Sequence, residues 1–381
     1  MLTPRSDRPQ AVRARLTRRL NRYRDHPWLP TAMGCTVCPQ YGQCGGLHTL
    51  RKQFDCLSLC CGNPAGCTKV CRRNVARYTE QVREIDGFEL GTTPRTPEVS
   101  CAPLPPFVPI LYHKGRRERR VNRGAVALPL YALFDKRTGA PKYCSRLALC
   151  DAYGLAPNVQ IILTGTDQDP PLERWWRHGT ARRAQAIANL RVLGVALVTT
   201  PNYSLYPHVP RWDDLHSMKC IALVQAELAG AGVPAALHVN GRTEQDFKRW
   251  GQYLAQRPEV THIAYEFGTG AGHPDRMPQH IEWLTDLART AGRRITLVVR
   301  GGITALPALA QTFDMVFLDT DVFMRSMNRQ SAVRVGNARL RWEAAPTARG
   351  EALDDLFERN AEQREAFVRM VLGQHDAPVA A

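Results

Sequence analysis

Ile295-Thr-Leu-Val-Val-Arg300-Gly301-Gly302, followed by a short helical stretch and then by Phe313-Asp-Met-Val-Phe-Leu-Asp319, decides the fold class. Each is a short β-branched or apolar run that ends in polar or glycine positions. A run without polar alternation suits a strand buried on both faces. The same unit recurs upstream as Val159–Thr164, Val195–Thr200, Ala235–Val239 and His262–Glu266, and Met315–Leu318 is the centre of the last run. Between the runs lie Ala181–Val192, Ser217–Ala229, Glu244–Ala255, Pro278–Ala291 and Ala305–Gln311, whose apolar spacing predicts helices. Strand–helix alternation implies parallel strands joined by crossovers. The units, with room for more upstream, predict an α/β fold of the (β/α) TIM-barrel-like type. No Gly-x-Gly-x-x-Gly opens the first unit, which argues against a dinucleotide-binding domain.

Working outward, residues 124–347 are the expected catalytic barrel and 348–381 a charged helix with a loose tail. Upstream, the six prolines between Thr92 and Pro109 mark 91–123 as a Pro-rich, then basic, linker. Residues 35–90 are a small cysteine-rich metal-binding segment, and 1–34 a basic helix with Val12, Leu16 and Leu20 on one side.

The 381 residues carry a net charge of +16, a positive field that attracts polyanions. The basic residues cluster: Arg5 to Arg24, then Lys114-Gly-Arg116-Arg117-Glu-Arg119-Arg120 with Arg123, then Arg182-Arg183. This points to a nucleic-acid partner, DNA ahead of RNA; the plainer alternative is that the charge serves solubility. No apolar run is long enough to cross a bilayer. Met1–Pro30 shows no apolar core followed by a cleavage site, so the expected location is the cytoplasm, with no membrane partner.

Eight of the twelve cysteines fall in one segment: Cys35, Cys38, Cys44, Cys56, Cys60, Cys61, Cys67 and Cys71. A reducing compartment disfavours disulfides, so dense thiolates point to metal. One Cys-x2-Cys with irregular remaining spacings favours an iron–sulfur cluster, with zinc as the alternative. Such a loop-rich segment needs its metal to fold.

In an α/β barrel the chemistry lies at the C-terminal ends of the strands. The runs lead into Thr164-Gly-Thr-Asp167-Gln-Asp169, Thr200-Pro-Asn202-Tyr203-Ser-Leu-Tyr206, Asn240-Gly241-Arg242, Tyr265-Glu266-Phe-Gly268, Arg300-Gly301-Gly302 and Asp319-Thr-Asp321. Carboxylates and amides read a polar edge, glycines admit a flat ligand to the backbone, and Tyr203 or Tyr206 offers a stacking face. Taken singly, Gly-Gly and Asn-Gly also read as turns, and Asp319 as a helix cap.

The stretch Leu237-His-Val-Asn240-Gly241, His262-Ile-Ala-Tyr-Glu266-Phe-Gly268, Leu297-Val-Val-Arg-Gly301-Gly302 and Phe313-Asp-Met-Val-Phe-Leu-Asp319 resembles the C-terminal barrel half of tRNA-guanine transglycosylases. Ile162-Leu-Thr-Gly-Thr-Asp167 resembles that family's strand with a base-side aspartate, and Asn202 stands where its second reading acid would be. The family's zinc ligands are absent, since no cysteine follows Cys220. These departures resemble the branch that inserts 7-deazaguanine bases into DNA in phages and bacterial DNA-modification clusters. Thr200-Pro-Asn-Tyr-Ser-Leu-Tyr206 also resembles a phage-associated motif, Thr-Pro-Asp-Phe-Ser-Leu-Tyr.

The resemblance implies a transferase that exchanges guanine for a 7-deazaguanine-type base through a covalent glycosyl-enzyme. It implies Asp319 as nucleophile, Asp321 as the second choice, and Asp167 as acid/base. Asn202, Tyr203, Asn240, Gly241, Glu266, Gly268, Arg300, Gly301 and Gly302 become the substrate-binding set. Two rivals remain. One is a different nucleic-acid-acting barrel enzyme, either a metal-dependent nuclease built on Asp167, Asp169, Glu266, Asp319 and Asp321 or a redox-active nucleotide enzyme that uses the cluster. The other is a non-enzymatic nucleic-acid-binding protein.

Overall fold

The computed structural model describes residues 81, 83–205, 211–335, 339–348 and 350–373. The basic stretch 5–24, the eight clustered cysteines and Tyr206 lie outside the described residues, and with them the iron–sulfur and zinc expectations.

Eight parallel strands form one sheet: β1 (Phe107–Pro109), β2 (Ala125–Pro129), β3 (Gln160–Thr164), β4 (Leu197–Thr199), β5 (Ala235–His238), β6 (His262–Glu266), β7 (Thr296–Arg300) and β8 (Asp314–Asp319). Neighbours pair in chain order from β2 to β8, and β8 pairs with β1. The ring is then bridged by Ile110 against Ala127, where the Leu111 amide donates to the Ala127 carbonyl at 2.8 Å. A TIM-like barrel is the result, as the alternation predicts.

Helices α1 (Arg146–Tyr153), α2 (Asp169–Arg177), α3 (Gly179–Val192), α4 (Arg211–Gly230), α5 (Glu244–Ala255), α6 (Met277–Ala291), α7 (Leu306–Leu309) and α8 (Asp321–Met327) follow their strands. A β9–β10 hairpin (Gln330–Val335, Arg339–Ala344) and α9 (Asp354–Val371) come last. The sequence dictates several ends: Ser145 caps α1, a Thr243–Asp246 capping box starts α5, and left-handed Gly154 and Gly292 stop α1 and α6.

Strand side chains alternate in and out. The inward set is small or branched: Val108, Ala125, Ala127, Ile162, Leu197, Ala236, Ala264, Val298, Val316 and Leu318 fill the lumen. Four alanines in that set let the large residues of neighbouring strands interleave at close packing. The outward set, including Leu237, Ile263, Leu297, Val299 and Phe317, packs under the helices.

Two expectations need correction. First, β1 lies within 91–123, the stretch read as linker. Prolines suit its position: it is only three residues long and ends at Pro109, where the lost amide is not needed. Second, part of the basic run 114–123 is engaged in the fold: Arg117 is buried and Arg123 half-buried, while Lys114, Arg116, Arg119 and Arg120 stay exposed. The β1–β2 connection carries no helix, and α9 packs over it instead. There Arg117 lies over the Phe357 ring, Arg119 pairs with Asp355, and Arg123 pairs with Glu358 and Glu365. Arg120 pairs with Asp151, and the Arg119 and Glu118 amides donate to Asp354 at 3.0 and 2.9 Å. Arg183 is likewise buried on Glu227. Arg117, Arg123 and Arg183 are the ones that tie the fold together, whereas Arg119 and Arg120 pair at the exposed surface.

Candidate active site at the C-terminal mouth of the barrel

Continuing the inward alternation past the lumen layer brings His238, Glu266 and Arg300 to the top of β5, β6 and β7. Above them opens a cavity of about 310 Å³ whose lining includes Asp167, Asn202, His238, Asn240, Glu266 and Arg276. Its size falls at the lower end of the range of small-ligand pockets.

Glu266 is nearly buried and accepts from Arg300 Nη1 at 3.2 Å and from the Gly268 amide at 2.5 Å. Burial pushes its carboxyl above the ordinary value, against the pull of Arg300. His238 is buried as well, and burial with the nearby Arg300 lowers its imidazole to about 3, so it is neutral at physiological pH. One wall is aromatic: Tyr265 Oη lies 2.6 Å from His280 Nδ1, and the His280 and Trp283 rings meet edge to face at 5.0 Å. The opposite wall carries Thr166, Asp167, Asn202 and Ser204. Asp167 accepts from the Gln168 amide at 2.7 Å.

Several buried polar atoms here have no partner among the described residues: Asn202 Oδ1, His238 Nδ1, Arg276 Nε and Nη2, and Arg300 Nε. Buried polar atoms are normally paired; others without a partner occur elsewhere among the described residues, and those at this opening are placed to meet a polar ligand.

The expected residues divide. Asp167, Asn202, Asn240, Gly241 and Glu266 share the cavity, with Arg300 directly behind Glu266. Asp319 does not line it. On β8, Val316 and Leu318 point inward, so Asp319 shares the outward parity of Met315 and Phe317. Its carboxylate meets Arg364 of α9 at 2.6 Å and accepts from the Asp321 and Val322 amides at 2.9 and 2.8 Å, capping α8. Burial raises its affinity for a proton, and Arg364 opposes that. Asp321 pairs with the same arginine at 3.0 Å.

Tyr203 is also misplaced for stacking. It is buried against Trp176, and its carbonyl accepts from Asn240 Nδ2 at 2.8 Å. The glycines serve packing. A Cβ on Gly241 would reach the Phe247 ring at 2.8 Å, and Gly268 lies against the Glu266 carboxylate that it binds. Gly301 and Gly302 take φ of +74° and +63°, and a Cβ on Gly302 would come 2.5 Å from Phe267 Cβ. Among the described residues, no group of three or more His, Cys, Asp or Glu side chains is gathered as metal ligands would be.

His238, Arg276 and His280 were not singled out from the sequence. The parity of β5, with Ala236 and His238 two apart, carried the signal for His238. Arg276 and His280 sit beyond the strand ends, on the approach to α6 and within it, where no run marks them.

Neither a family model nor a characterised protein matches this chain. The likeness to tRNA-guanine transglycosylases therefore rests on the motifs quoted above.

Proposed function

We propose that the chain is a nucleic-acid base-exchange enzyme of the transglycosylase kind. It holds a purine in the mouth cavity and uses Asp167, in place of Asp319, as the attacking carboxylate. One observation carries the reading. Glu266 is neutralised by Arg300, and Asp319 and Asp321 by Arg364, whereas Asp167 stands on the cavity wall with no cationic partner among the described residues. A carboxylate free of an ion pair keeps its nucleophilicity and needs no ion pair broken before it attacks.

The chemistry takes two displacements. An Asp167 oxygen forms an ester to C1′ as the C1′–N9 bond breaks, and the purine leaves with the bonding pair and takes up a proton. An incoming 7-deazaguanine-type base then gives up its N9 proton and bonds C1′, which releases the carboxylate. Two inversions retain the stereochemistry. The Glu266 carboxylate and Asn202 Oδ1 suit the N–H donors of a guanine edge, and Arg276 suits its carbonyl. The target must leave its stack to reach this depth. The 7-deazaguanine base and the preference for DNA come from the resemblance; the net charge of +16 supports a nucleic-acid substrate.

The test is exchange of labelled guanine into an oligonucleotide, with denaturing electrophoresis to capture the ester adduct. Asp167→Asn abolishes both signals while remaining folded, and Asp319→Asn, if folded, retains them. Wild-type exchange by Asp167→Asn would overturn the assignment.

A further inference from the structure

A second cavity, of about 400 Å³, opens beside the first on the β2–β3 side of the mouth, and Asp167 lines both. Its walls combine flat rings with cations. Tyr131, Phe134 and Trp175 form an aromatic patch, with Trp175 in edge contact with Phe134 at 5.5 Å and with Tyr131 at 6.2 Å. Lys136, Arg174 and Arg182 come from three different elements: the turn after β2, α2 and α3.

These three cations differ from the arginines already spent on the fold. Arg183, on the same wall, is bound to Glu227 at 2.8 and 2.7 Å and lies over Trp176. Lys136, Arg174 and Arg182 have no ion-pair partner among the described residues. The carboxylate at the rim, Asp135, is occupied by the Thr138 and Arg137 amides at 2.7 and 3.0 Å. The indole N–H of Trp175, a residue 4% exposed, has no acceptor among the described residues either. Burial and the surrounding Arg182, Arg174 and Arg183 also depress the protonation of His178, which lines the same cavity, as a local excess of positive charge would. Unpaired cations kept close together against mutual repulsion call for an anion.

We propose that this cavity is a phosphate-binding subsite, in which Lys136, Arg174 and Arg182 hold a phosphate ester and the aromatic patch takes the ring beside it. The phosphate is that of a strand whose neighbouring base enters the first cavity, or that of a free nucleotide. In the first case the subsite rests on the base-exchange reading and sets how the substrate is threaded, with Asp167 at the junction. In the second it stands alone.

The test is equilibrium binding at low salt of two probes to the full chain, a short single-stranded oligonucleotide and a nucleoside monophosphate. Lys136, Arg174 and Arg182 are at least partly exposed, so Arg174→Gln/Arg182→Gln retains the wild-type melting temperature. The double variant weakens binding tenfold or more and flattens the dependence of binding on salt. A response confined to the oligonucleotide assigns the phosphate to a strand; an equal response to the monophosphate assigns it to a free nucleotide. Asp167→Asn keeps phosphate binding while losing exchange, which separates this inference from the base-exchange reading. Unchanged binding in the double variant, or no binding of either probe by the wild type, overturns it.

Discussion

Arg364 reaches across 45 positions of sequence to place its guanidinium Nε 2.6 Å from Asp319 Oδ2 inside the wall of the barrel. The pair is buried on both sides and is completed by Asp321 and by the amides that start α8. It fixes α9 to β8, the last strand of the barrel. Removing one partner of such a pair leaves an uncompensated buried charge, at a cost of about 3–5 kcal/mol. Arg364→Met therefore lowers the unfolding free energy by that amount in urea titration. Arg364→Met/Asp319→Leu, which removes both charges, lies closer to the wild type. Equal stability of the single variant and the wild type would show that the pair is not formed.

His238 gives the protein a stability that depends on pH. Its imidazole is lowered to about 3 in the folded chain, whereas an unfolded histidine titrates near about 6.5. Between these values the unfolded chain binds the extra proton, so stability rises with pH across the window and falls on acidification. Going from pH 7 to pH 5 removes up to about 2 kcal/mol through this residue alone. His238→Gln flattens that part of the curve, as urea midpoints at the two values would show. An unaltered slope in the variant would mean that the ring already takes a proton in the fold.

Gly302 and Gly350 make a matched comparison. Both are left-handed, but a Cβ on Gly302 meets Phe267 whereas a Cβ on Gly350 meets nothing within 4 Å. Gly350→Ala pays only for its backbone, about 1–2 kcal/mol. Gly302→Ala adds overpacking worth about 1–3 kcal/mol more. Thermal melts of the two variants rank them, and equal losses would mean that the Phe267 contact yields freely.

The loop arginines separate stability from binding. Arg123→Ala breaks two partly buried pairs, with Glu358 and Glu365, and lowers stability by about 1–2 kcal/mol. Its affinity for an oligonucleotide stays within about twofold of wild type, because a cation already paired in the fold releases few counterions. Fluorescence anisotropy beside a thermal melt checks both. A large loss of affinity with full stability would return this loop to the binding surface.

The barrel was legible because its runs lack polar alternation. His262–Glu266 and Glu244–Ala255 appear in the structure with the bounds read from the sequence. β1 was not legible, since three residues among prolines carry no period. At the mouth, Glu266 and Asp167 could be read from their place after a run. Asp319 occupies an equivalent place in sequence and the opposite face in space, because one step along a pleat reverses the side chain. The fate of Arg117–Arg123 was invisible for another reason. The carboxylate partners of Arg119 and Arg123, from Asp355 to Glu365, lie more than two hundred residues away, and charge in a linear string says nothing about pairing at that distance.

The bridge from Ile110 to Ala127 and the cover supplied by α9 also bear on how the chain is made. The first strand has its hydrogen-bonding neighbour in β8, and the loop after it has its ionic neighbours in α9. A ribosome delivers those partners long after β1 has emerged. Until β8 is made the growing barrel is an open crescent, exposed to pairing with other chains. Its closure is a late, non-local event and therefore slow. A chain halted before α9 should be caught more by chaperones and less able to mature than one shortened at any single outer loop.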